Sequence, residues 1–349
     1  MAEAALAGGL DLIAMTRAII ADPDLPRKVA SGERPRPCIG LNDGCIGRLY
    51  TGKPMYCSVN PAVRDPSLGT LERTASPARV VVVGGGVAGL EAARAAARRG
   101  HAVVLFERRA ALGGRARFAG RRSGRDRWAR YVDWLREEVE AAGAKIRVGV
   151  EADASAVLAE RPDAVIMATG SVLRAEARLP GPLLVLDVDE LLDGAAIPDP
   201  ASGTALILDD DGAQLAPTAA EALVAADFEV EIATTHKAVA DLIDDTQLPF
   251  ILQRLAVDGV RLTPNVAGVS SGEGGTVTLR HLYSERDERR EGVALVVIAG
   301  RRQGLTTLRD ELAAAARELA ITVVGDALSP RTLLDATAEG AHAGATVGT

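Results

Sequence analysis

In 349 residues no apolar run approaches the roughly 18–20 that a membrane-crossing helix needs. The first ten residues carry Glu3 and no basic cluster, which argues against a secretory leader. A cytoplasmic protein without a membrane partner is the expectation. Aromatic residues make up only 3% of the chain, so stacking platforms for bases or sugars are scarce. Acidic residues (47) outnumber basic ones (40), and the net charge of −7 argues against a general nucleic-acid binder. Cysteine is rarer still, with three residues, Cys38, Cys45 and Cys57, all in one short stretch. An odd count is a poor disulfide framework and points to a metal or redox site instead. No carboxylate pair, Ser-His-Asp order or metal-type histidine spacing stands out, so catalytic residues are not assigned.

What is present is an ordinary globular composition, 48% hydrophobic and 25% charged. Length alone gives a prior of two domains plus an extra piece. Residues 10–15 read as a short strand, followed by a helix ending near residues 27–30. The cysteine stretch follows, then a Pro- and Gly-rich linker over 61–78. From residue 79 the pattern alternates: strands at 79–83, 102–107, 145–150 and 163–167, with helices at 87–99 and 126–142. Gly100 reads as the residue just past the first helix. The theme restarts as a degenerate repeat, with a strand at 204–209, a helix at 218–226 and a strand at 229–233. A helix at 248–257, a hairpin over 260–282, and strands at 294–298 and 321–324 complete it. Residues 285–291 read as a solvated charged turn. A last helix is expected from Ser329 and Pro330. Strand–helix alternation implies an α/β fold with parallel sheets.

The strongest motif is the glycine loop after the first strand. Gly84, Gly86 and Gly89 match G-x-G-x-x-G, with Val87 and Ala88 opening the helix behind it. Gly84 suits the tight turn, Gly86 backbone approach to a pyrophosphate, and Gly89 close helix–strand packing. The helix N-terminus offers free N–H groups to phosphate oxygens. Glu107 ends the next strand, where a carboxylate accepts ribose hydroxyls. The second unit lacks these glycines and runs instead into Asp209, Asp210 and Asp211. Three carboxylates repel a pyrophosphate, so this half is expected to keep the shape of an NAD(P) domain without its binding.

The cysteines are spaced Cys38-x6-Cys45-x11-Cys57. By composition, iron–sulfur ligation, zinc and plain free thiols all remain open. With the valine–asparagine–proline segment that follows Cys57, the stretch resembles the trimethylamine dehydrogenase / 2,4-dienoyl-CoA reductase family of iron–sulfur flavoproteins. Those enzymes carry C-x2-C-x3-C-x11-C for a [4Fe–4S] cluster. Cys38, Cys45 and Cys57 match the first, third and fourth ligands, and Leu41 stands at the second. The resemblance thus leaves a [3Fe–4S] cluster, a [4Fe–4S] cluster with an open or foreign fourth site, a borrowed ligand such as Asp43, or a lost cluster.

The same resemblance assigns Arg108, which follows Glu107, the glycine pair Gly113-Gly114 with Arg115, the segment Thr169-Gly170 and the pair Gly325-Asp326 to a bound FAD, or to ADP in its place. It implies two Rossmann-like domains in a glutathione reductase-like arrangement, preceded by an iron–sulfur segment and the last βα unit of a (β/α)8 barrel. The boundaries follow: 1–35 for the barrel unit, 36–78 for the cysteine segment, 79–195 plus 300–349 for the FAD/ADP domain, and 196–299 for the degenerate domain. Arg17 matches an arginine that meets the FMN phosphate in the family. The expected function is an electron-transfer subunit of a heteromeric oxidoreductase. It would relay electrons between FMN in a partner barrel and an acceptor such as an electron-transfer flavoprotein or ferredoxin. The alternatives are a self-contained FAD enzyme using NAD(P)H, and a non-catalytic subunit holding ADP.

Overall fold

A computed structural model describes residues 2–120 and 126–348. Among the described residues, fifteen strands form four sheets. Strands β1 (Arg79–Val83), β2 (Ala102–Glu107), β3 (Lys145–Val148), β4 (Ala164–Met167) and the late β15 (Ala320–Val323) make the first sheet. Its order is β15-β4-β1-β2-β3, and every pairing in it is parallel. Strands β1 and β4 are apolar and almost wholly buried, as expected where both faces of a parallel sheet are covered. One face packs on helices α1 (Val87–Arg98), α2 (Asp126–Ala141) and α5 (Leu333–Thr346). The other carries Val81, Val83, Phe106 and Met167 against Leu312.

Between β4 and β15 the chain builds a second layer. The short β5 (Ser171–Leu173) pairs antiparallel with β14 (Arg302–Gly304), forming a two-stranded link. Strands β6 (Val185–Asp187), β7 (Thr204–Asp209), β8 (Val230–Thr234), β9 (Arg261–Thr263) and β13 (Val293–Ala299) form a parallel sheet of order β6-β13-β7-β8-β9. Helices α3 (Leu215–Val224) and α4 (Leu248–Val257) cover one face. The other face packs on an antiparallel sheet of β10 (Val266–Gly272), β11 (Thr276–His281) and β12 (Asp287–Arg290). Two strand–helix–strand units thus stand in one chain, as the internal repeat implies.

Four expectations change. Residues 10–15 form no strand, because no neighbouring strand pairs with them among the described residues. A barrel strand needs a neighbour on both sides for its backbone groups. The expected hairpin over 260–282 is divided: β9 joins the parallel sheet, and only β10 and β11 form the antiparallel pair. The charged run near 285–291 is not a turn throughout, since Asp287–Arg290 is the edge strand β12. Cross-strand ion pairs hold it, with Arg280 meeting both oxygens of Asp287 at 2.7 and 3.0 Å and Arg290 meeting Glu231 at 2.9 Å. The last helix starts at Leu333, not at Pro330, because Thr332 and Asp335 form a reciprocal capping box.

Candidate functional site: a glycine-lined cavity reaching the cysteine loop

The C-terminal ends of β1 and β4 open onto a cavity of about 1090 Å³. Gly84 follows β1 with φ +109°, a conformation that glycine adopts without strain, and a Cβ there would stand 2.1 Å from the Ala168 carbonyl oxygen. Gly89 lies inside α1, where a Cβ would stand 1.8 Å from the Gly84 carbonyl oxygen. Gly86 differs from both: nothing lies within 4 Å of its missing Cβ. It is the N-cap of α1 and supplies no side-chain cap, so the first N–H groups of the helix are left for a ligand. Gly84, Gly86, Val87 and Ala88 line the cavity, while Gly89 is used in packing behind it.

Glu107 ends β2 at the cavity wall, 7% exposed. Its two oxygens accept from the Gly85 N–H at 2.7 Å and the Arg109 N–H at 2.8 Å. A carboxylate has about four acceptor sites, so capacity for ribose hydroxyls is left. Arg108 also lines the cavity and faces Glu151 at 3.9 Å. Gly114, Thr169 and Gly170 line it too, with the Thr169 hydroxyl donating to the Leu305 carbonyl at 2.6 Å. Gly325 is set back against Ala88 and presents Asp326 to the cavity.

Arg115 meets Asp189, which follows β6 of the second parallel sheet, at 3.2 Å, and Asp326, which follows β15 of the first, at 3.3 Å. One of its terminal nitrogens, Nη2, is buried without a partner. Behind it Arg302, 8% exposed, meets Asp187 at 2.7 Å, Asp189 at 2.8 Å and the Ser171 hydroxyl at 3.0 Å. Arg302, Asp187 and Asp189 were not legible as site residues, because their pairing joins strands far apart in sequence.

The second unit presents a different turn. The Asp209 carboxylate, 2% exposed, accepts the N–H groups of Asp211 and Gly212, both at 3.0 Å. Two N–H donors of this turn are thus already taken by its own carboxylate. Burial pushes the Asp209 carboxyl up to about 6 and raises that of Asp211 as well. Asp210 is held by Arg301 at 2.6 Å and by the Thr235 hydroxyl at 2.8 Å.

The cysteine segment closes the far side of the cavity through Leu41 and Asp43. Leu41 is buried in the same apolar cluster against which Cys38 and Cys57 pack. Cys45 precedes the short helix Ile46–Tyr50. Burial pushes the Cys45 thiol up, and pushes the Cys57 thiol up against the N–H groups of Val59 and Asn60. Among the described residues no group of three or more His, Cys, Asp or Glu side chains is placed to hold a metal ion. A cluster spreads its ligands more widely than one ion does, and here it would find three thiols with the apolar side chain of Leu41 in place of a fourth. The donor set therefore does not fit a four-thiolate cluster. One oxygen of the Asp43 carboxylate accepts from the Ser58 hydroxyl and the Gly44 N–H, each at 2.6 Å. Arg17 stands apart from the cavity, exposed on the helix Thr16–Ala21, and donates to Asn42 at 2.8 Å.

A family model described as an NAD(P)-binding Rossmann-like domain matches residues 82–133. The chain is 37% identical over 263 residues to a probable N-methylproline demethylase of Rhizobium meliloti strain 1021, covering 73% of this chain and 38% of that protein. It is 42% identical over 168 residues to an NADH oxidase of Thermoanaerobacter brockii, covering 47% of this chain and 26% of that protein. Histamine dehydrogenase from Rhizobium sp. 4-9 superposes on all of it, with a TM-score of 0.89 and 26% identity, over 57% of that enzyme. The chain thus spans well under two thirds of the relatives it matches. Its homologues and structural neighbours are amine dehydrogenase-like and enoate or alkene reductase-like flavoproteins.

Proposed function

We propose that the chain is the dinucleotide-binding, electron-transferring part of a flavin-dependent oxidoreductase of the amine dehydrogenase/demethylase or enoate reductase type. FAD, or ADP in its place, would lie along Gly84–Gly89. Glu107 would meet the ribose, Arg108 would flank the adenine end, and Gly114, Arg115, Thr169, Gly170, Gly325 and Asp326 would follow the molecule inward. The observation that carries this reading is the open face at Gly86 beside the uncapped N-terminus of α1. When bound, a flavin supplies reversible uptake of one or two electrons. The protein's part is to bind the pyrophosphate, orient the ribose and exclude water.

Substrate chemistry belongs in this reading to FMN held by a barrel-type partner or by a further region, with Arg17 meeting its phosphate. Electrons leave to an acceptor protein such as an electron-transfer flavoprotein or ferredoxin. Exposed Leu6, Leu10, Leu12 and Val29 give the residues before the cysteine segment an apolar surface suited to the barrel. Cys38, Cys45 and Cys57 would hold a three-thiolate iron–sulfur group, which would supply single-electron relay.

A second reading, a self-contained NAD(P)H oxidoreductase, is favoured by the similarity to an NADH oxidase. The occupied amides of the Asp209 turn oppose it. Anaerobic titration of the FAD-loaded protein separates the two. Dithionite is expected to bleach the flavin band while NADH and NADPH leave it unchanged over minutes. Rapid bleaching by either nicotinamide would select the second reading.

A further inference from the structure

The loop between Leu41 and Cys45 is tied to two distant parts of the chain through one side chain. Asn42 adopts φ +68°, a conformation open to asparagine at modest cost. Its carbonyl accepts the N–H groups of Cys45 and Gly47, both at 3.1 Å. Its side-chain oxygen accepts from Arg17 at 2.8 Å, and its side-chain nitrogen donates to the Thr246 hydroxyl at 2.6 Å. The Leu41 carbonyl accepts from the Gln247 side chain. Gly47 completes the contact by its size: a Cβ there would stand 1.9 Å from an Asp244 carboxylate oxygen. Asp244, in turn, accepts the Thr246 N–H at 3.0 Å and holds the entry to α4.

We infer that Asn42 is a positioning residue that latches the cysteine loop to the degenerate domain at Thr246 and to the leading segment at Arg17. The latch fixes the Leu41–Asp43 wall of the cavity and keeps the second domain from swinging away from the first. The asparagine amide suits this task because it accepts on one side and donates on the other. Neither aspartate nor leucine does both. The inference stands on contacts within the chain and does not depend on which nucleotide or acceptor the protein uses.

Hydrogen–deuterium exchange on the full chain tests it, read at the Cys45 and Gly47 amides, at residues 244–250 and, as an internal reference, at β1. Thr246→Val removes the acceptor on the far side of the contact and leaves the loop sequence intact. It is expected to speed exchange of the Cys45 and Gly47 amides about tenfold, with β1 unchanged. Asn42→Asp keeps the backbone conformation and the Arg17 contact, and is expected to reproduce that effect. Asn42→Gly keeps φ without strain and loses both contacts. It is expected to speed exchange on both sides of the latch. The double variant Asn42→Asp with Thr246→Val should add nothing to either single change. Exchange rising only at 244–250 in Thr246→Val, or rising equally everywhere, would overturn the inference.

Discussion

At the residue scale, three glycines in one motif have different physical duties. Gly89 is required by packing and Gly86 by what lies in front of it. In nucleotide-free protein, Gly89→Ala is expected to cost about 1–3 kcal/mol or more, since its Cβ has no room against Gly84. Gly86→Ala, at an ordinary φ of −72°, is expected to cost under about 1 kcal/mol of stability. The same change should weaken ADP or FAD binding about tenfold or more by holding the pyrophosphate off the backbone. Denaturant melts and calorimetric titration read the two effects separately. Equal losses of stability in both variants would contradict the assignment. The geometry of this loop was legible in the sequence because strand, glycines, helix and Glu107 follow one another between residues 79 and 107. The cysteine loop was legible only in part. The family resemblance named Leu41 as the gap, but not that Leu41 also walls the cavity. Leu41→Cys supplies the missing thiol. Anaerobic reconstitution is expected to raise iron and acid-labile sulfide per chain above the unsubstituted protein, and an unchanged content would show that the loop cannot close around a cluster.

At the element scale, the strands with continuous apolar runs were readable and those held by pairing were not. β12 carries only charged side chains, and its place rests on its pairing with β11 and on the Arg290–Glu231 contact, 59 positions apart, which no local window contains. Charge on an edge strand also opposes pairing with other chains. The Asp209 turn was readable as hostile to a pyrophosphate. The sequence did not reveal that the Asp209 carboxylate itself fills the donors of that turn. Its carboxyl, ordinarily near 3.8, is raised to about 6. Between those values the folded protein binds the extra proton, so this group's contribution to stability falls as pH rises from about 4 to 6. Asp209→Asn keeps an acceptor for the two N–H groups and removes the buried charge. It is expected to stabilise the protein by roughly 1–3 kcal/mol at pH 7–8 and to flatten this part of the pH profile. Thermal melts across pH 4–8 check it, and a less stable variant at pH 8 would count against the account of the turn.

At the scale of the whole molecule, two parallel sheets face each other across one cavity. A buried arginine, Arg302, with Asp187 and Asp189 pins them, and breaking such a set by removing one partner is costly. The two parallel sheets were legible from the repeat of strand, Ala-rich helix and strand. The contacts of Arg302 with Asp187 and Asp189 were not, because they pair residues more than a hundred positions apart. The leading segment remains the least determined by its own sequence. Leu12 is 89% exposed, and residues 10–15 lack the strand neighbours that would order them as a strand. The central claim, however, concerns the cavity within the chain itself. Protein purified anaerobically is denatured, and the released nucleotide is identified and counted by chromatography. The account predicts close to one FAD or ADP per chain, and its loss in Gly86→Val. A protein that releases no adenine nucleotide, and takes up neither FAD nor ADP when they are supplied, would contradict it.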